Sequence, residues 1–327
     1  MTGDAQRTYW LTTACRVRRE DQSLVVERPD GSNVHIPVTD IRDLVALAPV
    51  DVNTAAVSLL ARHGIALHLL DHYGNYAGQL APADGMCAGE VVRRQVATAE
   101  KPEAALAVAR ELVLAAAHNV RWAFDTSLLA ESLATLERSV QSASTSPELM
   151  AAEGTFRRAS WSLLDEELPS WLRLHGRSRR PPRNAGNAFI SFANGIVYSR
   201  ALTALRLTPL HSGIGFLHAT MARHRHTLAL DLAEPFKPLF AERLLRRAAH
   251  QRSLREADFE TDVAAASLSA TGRKRVVEMV RDELAQTVYH RRLRRRVSYE
   301  GLIRLEALKL VRLCLEGEPY KAFRAWW

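Results

Sequence analysis

The sequence predicts an α+β protein with a small β-rich region at residues 1–85 and a larger, all-α region at residues 86–327. Short apolar runs separated by turn residues fill the first region. From about residue 88 onward, apolar residues recur at the spacing of helix faces. A chain of 327 residues is long enough for two domains, and the composition shift near residues 82–85 is the predicted boundary.

Six strands and one helix are predicted in the β-rich region. A turn with Pro29 and Gly31 separates two of the strands, and both residue types suit a tight reversal. The helix begins at its cap Asn53 and ends at Gly64, which supplies a left-handed stop. Residues 73–76 form a further predicted turn. The predicted strands cover residues 8–13, 23–27, 33–37, 43–48, 65–70 and 77–80.

The second region is predicted to be helical throughout. A basic loop at residues 177–183, stiffened by Pro181 and Pro182, interrupts the helices. No apolar run approaches 18 residues, so no membrane span is predicted. The predicted helices cover residues 102–123, 127–140, 148–167, 187–205, 231–248, 273–296 and 299–315.

The chain is strongly basic, and its basic residues are mostly arginine. The formal charge is +8, and five of the 44 basic residues are lysines, which leaves 39 arginines. Arginine forks match phosphate geometry, so the bias favours a nucleic-acid partner, although a merely solvated basic surface remains an alternative. Cys15, Cys87 and Cys314 form no zinc or disulfide pattern. Together with the lack of an apolar signal core at the start of the chain, this is typical of a cytoplasmic protein.

Four residues could hold a divalent cation. Asp231 and Glu234 lie three apart and share one face of the predicted helix. His218 and the more distant Glu153 would complete the site if the chain brings them to that face. Carboxylate oxygens suit Mg²⁺, and an imidazole shifts the preference toward Mn²⁺. Taken alone, such residues are more often solvated or structural, but in a basic chain the set indicates chemistry on a phosphodiester.

Ordered motifs along the whole chain resemble one family, the CRISPR-associated integrase Cas-one (Cas1), which carries out spacer acquisition. The segment from His290 to Tyr299 and the one from Ile303 to Glu306 resemble the branch found with type I-B systems. The other matching segments are residues 36–43, 64–68, 73–76, 153–157, 179–182, 187–192, 213–218 and 230–238.

The resemblance implies a metal-dependent DNA endonuclease and integrase. Glu153, His218 and Glu234 fall on the family's metal ligands, with Mg²⁺ or Mn²⁺ as cofactor. Asp231 falls on a neighbouring catalytic position that coordinates less consistently, so its replacement is expected to have a milder effect. The implied reaction inserts spacers into a CRISPR array, each 3′-hydroxyl attacking a phosphodiester by transesterification.

The resemblance also implies the partners. They are a homodimer formed through residues 1–85, a dimer of Cas-two (Cas2), double-stranded DNA of prespacer and of repeat and leader, and, as a further candidate, the Cas-four (Cas4) nuclease. No membrane is expected. Two alternatives remain open: a catalytically silent DNA-binding scaffold homologue, and a transposon-type integrase of the same fold.

DNA contacts are predicted at two arginine clusters and one lysine. The run near residue 291 is the densest, and in the predicted helix it would cover most of the circumference, so part of it must meet phosphate or carboxylates such as Glu300 or Glu306. His224 and His226 are expected to be solvated, and the pattern leaves the packing of Trp326 and Trp327 open. The predicted DNA-binding residues are Arg177, Arg179, Arg180, Arg183, Lys237, Arg291, Arg292, Arg294 and Arg295, with Arg296 adjoining them.

Overall fold

The computed structural model describes residues 6–82, 88–123, 127–218, 226–262 and 264–326. Predictions for Cys87, His224 and Trp327, and most of the predicted boundary at residues 82–85, fall outside these residues. The described chain begins with strands and continues with helices, as the sequence predicts.

The strand-rich start consists of two four-stranded sheets and a helix, α1 (Thr54–Arg62). One sheet has the order β4-β3-β2-β6 and the other β1-β5-β7-β8, with β1, β5 and β7 parallel. Asn53 caps α1 by accepting a hydrogen bond from the Ala56 amide at 2.8 Å, and Gly64 follows with a φ of +70°, so both predicted helix signals are confirmed. The strands are β1 (Arg7–Leu11), β2 (Cys15–Glu20), β3 (Ser23–Glu27), β4 (Asn33–Pro37), β5 (Ile41–Ala46), β6 (Val50–Val52), β7 (Ala66–Leu70) and β8 (Tyr76–Leu80).

Nine further helices follow in the described residues, and the buried α6 (Ala185–Arg206) packs against four of them, the ones that come after it along the chain. That helix is long and apolar enough to cross a membrane by composition alone, but 89% of its apolar window is buried inside the protein, as in the core helix of a folded domain. The helices are α2 (Gly89–Ala99), α3 (Pro102–Val120), α4 (Ala130–Ser142), α5 (Ser146–Glu167), α6 (Ala185–Arg206), α7 (Thr227–Ala233), α8 (Arg243–His250), α9 (Ala270–Ala285) and α10 (Tyr299–Glu316).

Two of the predicted helices differ from the observed ones. The predicted helix over 231–248 breaks after Ala233, because Pro235 has no N–H to donate, and a π-helical turn at Pro238–Glu242 leads into α8. The predicted helix over 273–296 ends at Ala285. Residues Thr287–His290 form β11, whose first three residues favour strands.

The second region is therefore helical but not all-α. Strand β11 pairs with β12 (Arg295–Ser298), and Arg294 takes a φ of 50° in the turn between them. A second two-stranded sheet joins β9 (Phe259–Thr261) and β10 (Ala266–Leu268). The arginine run consequently lies at the end of a hairpin rather than around a helix.

The sheets and the helical region meet at a buried polar cluster. Arg200 on α6 lies 2.8 Å from Asp43 on β5, and the Thr203 hydroxyl donates to the same carboxylate at 2.5 Å. Because that hydroxyl donates to Asp43, it accepts from His68 Nε2 at 3.0 Å, while the Tyr76 hydroxyl lies 3.1 Å from His68 Nδ1. The cluster therefore holds a neutral imidazole beside a buried ion pair.

The pKa values in this cluster agree with that assignment. Burial raises the pKa of Asp43, but the charges of Arg200 and His68 outweigh it and leave the pKa at about 2. Burial lowers the pKa of His68 to about 3, against the smaller opposing effect of Asp43. The carboxylate is thus charged and the imidazole neutral near pH 7.

The turn at residues 73–76 packs directly against α6. A side chain on Gly195 would place its Cβ 1.8 Å from the carbonyl oxygen of Gly74. Gly74 itself has a φ of +82°, and its own Cβ would lie 2.5 Å from the Cα of Phe192. Both positions therefore require glycine, which explains why a conspicuous sequence signal lies at this junction.

Candidate metal centre

Asp231 organises one side of the candidate site from a fully buried position on α7. Its carboxylate accepts hydrogen bonds from the backbone amides of Phe216, Leu217 and His218 at 2.6, 3.1 and 3.1 Å. The same carboxylate accepts a hydrogen bond at 2.7 Å from Nδ1 of the His218 ring. A Cβ on Gly215 would lie 2.9 Å from this carboxylate, so the loop can approach only because residue 215 is glycine. Asp231 is thus positioned to orient His218.

His218 turns its other ring nitrogen toward Glu234. The distance from His218 Nε2 to Glu234 Oε1 is 3.6 Å. Burial lowers the pKa of His218, but the hydrogen bond to Asp231 and the charge of Glu234 outweigh it, so the pKa is raised. The structure therefore brings the imidazole and one carboxylate together with Nε2 facing the carboxylate.

Lys237 adds a cation to the same pair. Its ammonium donates to Glu234 Oε1 across the turn that follows α7. Burial raises the pKa of Glu234, but the charges of Lys237 and His218 lower it further than burial raises it. Glu234 is therefore ionised and already balanced by positive charge.

Glu153 projects from the middle of α5 on the other side of the site. It is half-buried, and within the described part of the chain its carboxylate has no hydrogen-bond partner. Burial and the charge of Glu234 raise the pKa of Glu153, while Arg157, Lys237 and His218 act in the opposite direction. An unpartnered carboxylate beside a second carboxylate is an arrangement that a bound cation would stabilise.

The donor set matches a hard or borderline divalent cation. It offers carboxylate oxygens from Glu153 and Glu234 and an imidazole nitrogen from His218, which are ligands suited to Mg²⁺ or Mn²⁺. Over residues 6–82, 88–123, 127–218, 226–262 and 264–326, no three such side chains already stand close enough to hold a metal ion. The donor chemistry therefore fits such a cation, although three shared ligands would have to stand closer together than they do in this structure.

A buried ion pair beside Glu153 has no counterpart in the sequence predictions. Arg157 lies one turn after Glu153 on α5 and forms an ion pair with Glu242. Trp161 donates to Glu242 at 3.1 Å, and the Arg157 guanidinium lies 5.1 Å from the Trp161 ring centre. This cluster fixes α5 against the π-helical turn and so holds Glu153 in place. No spacing rule connects Arg157 with Glu242, because they are 85 residues apart in the chain.

The arginines of the basic loop at residues 177–183 differ in exposure: one is turned into the protein, and the others face solvent. Arg177 is turned inward, donating to Asn187 Oδ1 and Ser191 Oγ, both at 2.9 Å. Burial and the charge of Arg179 lower the pKa of Arg177 to about 9. This arginine braces the loop, whereas the remaining loop arginines are exposed: Arg179, Arg180 and Arg183.

The arginines of the β11–β12 hairpin face solvent. The predicted carboxylate partners are occupied elsewhere, since Glu300 pairs with Arg42 and Glu306 pairs with Lys309. Arg296 bonds to Thr287 within the hairpin. Among the described residues, no ion pair or side-chain hydrogen bond involves the four remaining members of the run, all exposed: Arg291, Arg292, Arg294 and Arg295.

The structure locates His226, which was expected to be solvated, and Trp326, whose packing the sequence left open. His226 precedes α7, and its ring Nδ1 lies 2.8 Å from the Ser212 hydroxyl, so it is partnered rather than simply solvated. Trp326 packs on the hairpin, where its indole N–H donates to the Tyr289 carbonyl at 3.2 Å.

Comparison with known proteins gives a consistent family match. A model of the family "CRISPR associated protein Cas1" matches residues 8–282. The chain is 34% identical to a CRISPR-associated endonuclease Cas1 of Moorella thermoacetica, over 98% of this chain and 100% of that protein. It is also 34% identical to the Cas1 endonuclease of Haloferax volcanii, over 94% and 96% of the two chains. A solved Cas1 structure from Thermotoga maritima superposes with a TM-score of 0.87 at 27% identity, over 97% of this chain and 100% of that chain.

More distant structures share the fold. A casposase bound to an integration product superposes with a TM-score of 0.87 at 17% identity, covering 97% of this chain and 93% of that one. A Cas6-RT-Cas1–Cas2 complex gives a TM-score of 0.86 at 20% identity, covering 99% of this chain and 37% of that chain. A Cas1–DNA complex gives 0.60 at 18% identity, with coverages of 93% and 91%.

Proposed function

The chain belongs to the Cas1 family of CRISPR-associated endonucleases, and from this premise we propose that it inserts DNA spacers into a CRISPR array by metal-dependent transesterification. The observation that carries the proposal is the 3.6 Å approach of His218 Nε2 to Glu234 Oε1, with Nδ1 already tied to Asp231. The free ring nitrogen and one carboxylate thus face each other, and both interact electrostatically with Glu153.

Mg²⁺ or Mn²⁺ held by Glu153, His218 and Glu234 would neutralise charge on the scissile phosphate and activate the attacking 3′-oxygen. The chain itself supplies orientation and charge. Asp231 fixes the tautomer and direction of the His218 ring, as outer hydrogen bonds do in metal sites. Lys237, which pairs with Glu234, would meet a phosphate oxygen of the bound DNA.

The duplex would follow the outward arginines. The hairpin carries four exposed arginines without carboxylate partners in the described structure, and the basic loop adds Arg179, Arg180 and Arg183. Such unpaired charges supply affinity through phosphate contacts and counterion release rather than through base recognition. We therefore assign Arg291, Arg292, Arg294 and Arg295 to duplex binding.

The β-rich part, residues 1–85, is proposed as a dimerisation domain, with residues 86–327 as the catalytic domain. Each of the two sheets has edge strands, β4 and β6 in one and β1 and β8 in the other, and pairing across a two-fold axis would cover such edges. Family-level likeness to a Cas1–Cas2 complex and a Cas1–DNA complex supports a Cas2 dimer and duplex DNA as partners. Cas4 remains a candidate for trimming the DNA ends.

The test is half-site integration into a supercoiled plasmid that bears a repeat, with and without the partner Cas2. Glu153→Ala, His218→Ala and Glu234→Ala should each abolish strand transfer and leave duplex binding close to that of the unmodified protein. Glu166→Ala is the matched control, because Glu166 lies on the same helix α5 but is exposed. Activity that survives in EDTA, or in any two of the site variants, contradicts the assignment.

The same assay separates the alternatives. A silent scaffold would bind duplex DNA without strand transfer at any Mg²⁺ or Mn²⁺ concentration. A transposon-type integrase would demand particular terminal sequences on the donor and ignore the repeat. The approach of His218 to Glu234 and its hydrogen bond to Asp231, with Glu153 retained in the chain, support the active enzyme over the scaffold.

A further inference from the structure

The segment after α10 runs back across the helical region in a fixed path. Gly317, with a φ of +72°, ends α10, and residues 318–326 continue without regular secondary structure. The buried Glu306 on α10 accepts hydrogen bonds from the Tyr320 hydroxyl at 3.0 Å and from the Phe323 amide at 2.9 Å. Segment 317–326 is therefore held by specific buried contacts.

One fully buried side chain joins this segment to the turn beyond Glu234. Asn119 on α3 accepts a hydrogen bond from the Ala325 amide at 2.8 Å. Its Nδ2 donates to the Phe323 carbonyl at 3.0 Å and to the Pro235 carbonyl at 2.7 Å. Pro235 directly follows Glu234, so Asn119 links segment 317–326 to the backbone that carries a proposed ligand.

Two aromatic rings make the same connection. Phe323 and Phe236 stack with their planes 4° apart and their centres 4.9 Å apart. Phe236 is completely buried and lies two residues after Glu234. The turn at residues 234–236 replaces helix where Pro235 interrupts it, and its backbone keeps the shorter bonds from the Glu234 amide to Asp231 and from the Phe236 amide to Ala233. Contacts from Asn119 and Phe323 add to these two bonds in holding the turn.

We propose that Asn119 and Phe323 are positioning residues for the strand-transfer reaction, which hold the turn at residues 234–236 so that the Glu234 carboxylate stays opposite His218. The inference rests on the proposed function of that site. Neither residue touches the reacting groups. Each acts through the backbone of Pro235 or the ring of Phe236, and a looser turn would cost cation affinity and turnover rather than DNA affinity.

Direct Mn²⁺ binding to the full chain, followed by electron paramagnetic resonance of the free ion, tests the proposal without any reaction. Phe323→Ala should weaken Mn²⁺ binding about tenfold, the scale on which outer contacts affect metal sites. Phe323→Leu keeps apolar volume and should recover part of that loss. In the integration assay, kcat should fall in Phe323→Ala while KM for duplex DNA stays unchanged.

Lys321→Ala is the matched control within the same segment. Lys321 is exposed, and its ammonium donates to Glu111, two turns before Asn119 on α3, at 3.2 Å. The Lys321→Ala variant should bind Mn²⁺ with the affinity of the unmodified protein. Asn119→Leu should weaken Mn²⁺ binding like Phe323→Ala, and circular dichroism establishes that each variant is folded.

The outcomes distinguish this inference from the proposed function. If the unmodified protein binds Mn²⁺ and Glu234→Ala does not, but folded Phe323→Ala and Asn119→Leu bind it normally, the positioning role is wrong and the site assignment stands. Equal weakening in Lys321→Ala would also overturn the role, because the effect would then be general. If Glu234→Ala binds Mn²⁺ as well as the unmodified protein does, the site assignment itself fails.

Discussion

Replacing Arg291, Arg292, Arg294 and Arg295 with alanine should sharply reduce the salt dependence of duplex binding. All four side chains are exposed at the end of the β11–β12 hairpin and have no carboxylate partner in the described structure. Each phosphate that they neutralise contributes about −0.9 to the slope of log K against log salt, so the full set contributes about −3.6. Between 50 and 200 mM salt, that part of the slope alone changes affinity by about 150-fold.

Fluorescence anisotropy with two duplexes of unrelated sequence measures both slopes. The alanine variant should lose about equal affinity for both duplexes, because phosphate contacts carry no base information. The fourfold Arg→Lys variant keeps the charges, so its slope should match that of the unmodified protein. An unchanged slope in a folded alanine variant would refute the argument and shift the DNA path to the exposed arginines of the loop at residues 177–183.

Three further predictions concern the site, the junction and the assembly. Asp231→Asn should destabilise folding by about 2 to 3 kcal/mol in urea titrations, because asparagine keeps only one accepting oxygen and turns an NH2 group toward buried backbone amides that the second carboxylate oxygen now accepts from. It should also slow strand transfer 10- to 100-fold by releasing the His218 ring, and a normal rate would contradict the orienting role. The pKa of His68 is lowered to about 3 in the folded protein, so the folded imidazole stays neutral down to that pH. In the unfolded chain His68 has the ordinary pKa of 6.5 and takes up a proton below that pH. The free energy of unfolding should therefore be unaffected by His68 above pH 6.5 and should fall by about 2 kcal/mol between pH 6.5 and pH 5. His68→Gln should remove that part of the pH dependence. Light scattering should give a dimer at micromolar concentration, and a variant lacking residues 1–85 should lose it; a monomeric full-length chain would contradict the dimer.

The sequence predicted the elements whose signals are local. The cap Asn53, the stop Gly64 and the strands β3 and β4 are set by neighbouring residues, and each appears where expected. Strand β2 escaped prediction because its sequence is mostly charged and only Val17 is buried, which resembles a polar loop. The predicted helix over 273–296 runs through the arginine run, whereas the strand-forming residues Thr287, Val288 and Tyr289 begin β11 just before it.

Motifs in the sequence predict the candidate ligands, but they do not predict the residues that hold those ligands in position. No local pattern around Glu153 predicts the ion pair between Arg157 and Glu242. Similarly, no local pattern around Glu234 predicts the hydrogen bond from Asn119 to the Pro235 carbonyl. Those partners are chosen by the tertiary packing of α3, α5 and the turn after α7. Asp231 is predicted at the site, next to the metal ligands, and only the structure shows that its oxygens accept from backbone amides and from the His218 ring.

The ion pair between Asp43 and Arg200 has a consequence for synthesis on the ribosome, because its members are 157 residues apart. At 5 to 20 residues per second, Arg200 follows Asp43 by about 10 to 30 s. During that interval the parallel strands β1, β5 and β7 can form, yet the face that will receive α6 carries a carboxylate without its guanidinium. That face of the nascent sheet must therefore stay hydrated until α6 emerges. The β-rich region and the helical region can pack together only after that point.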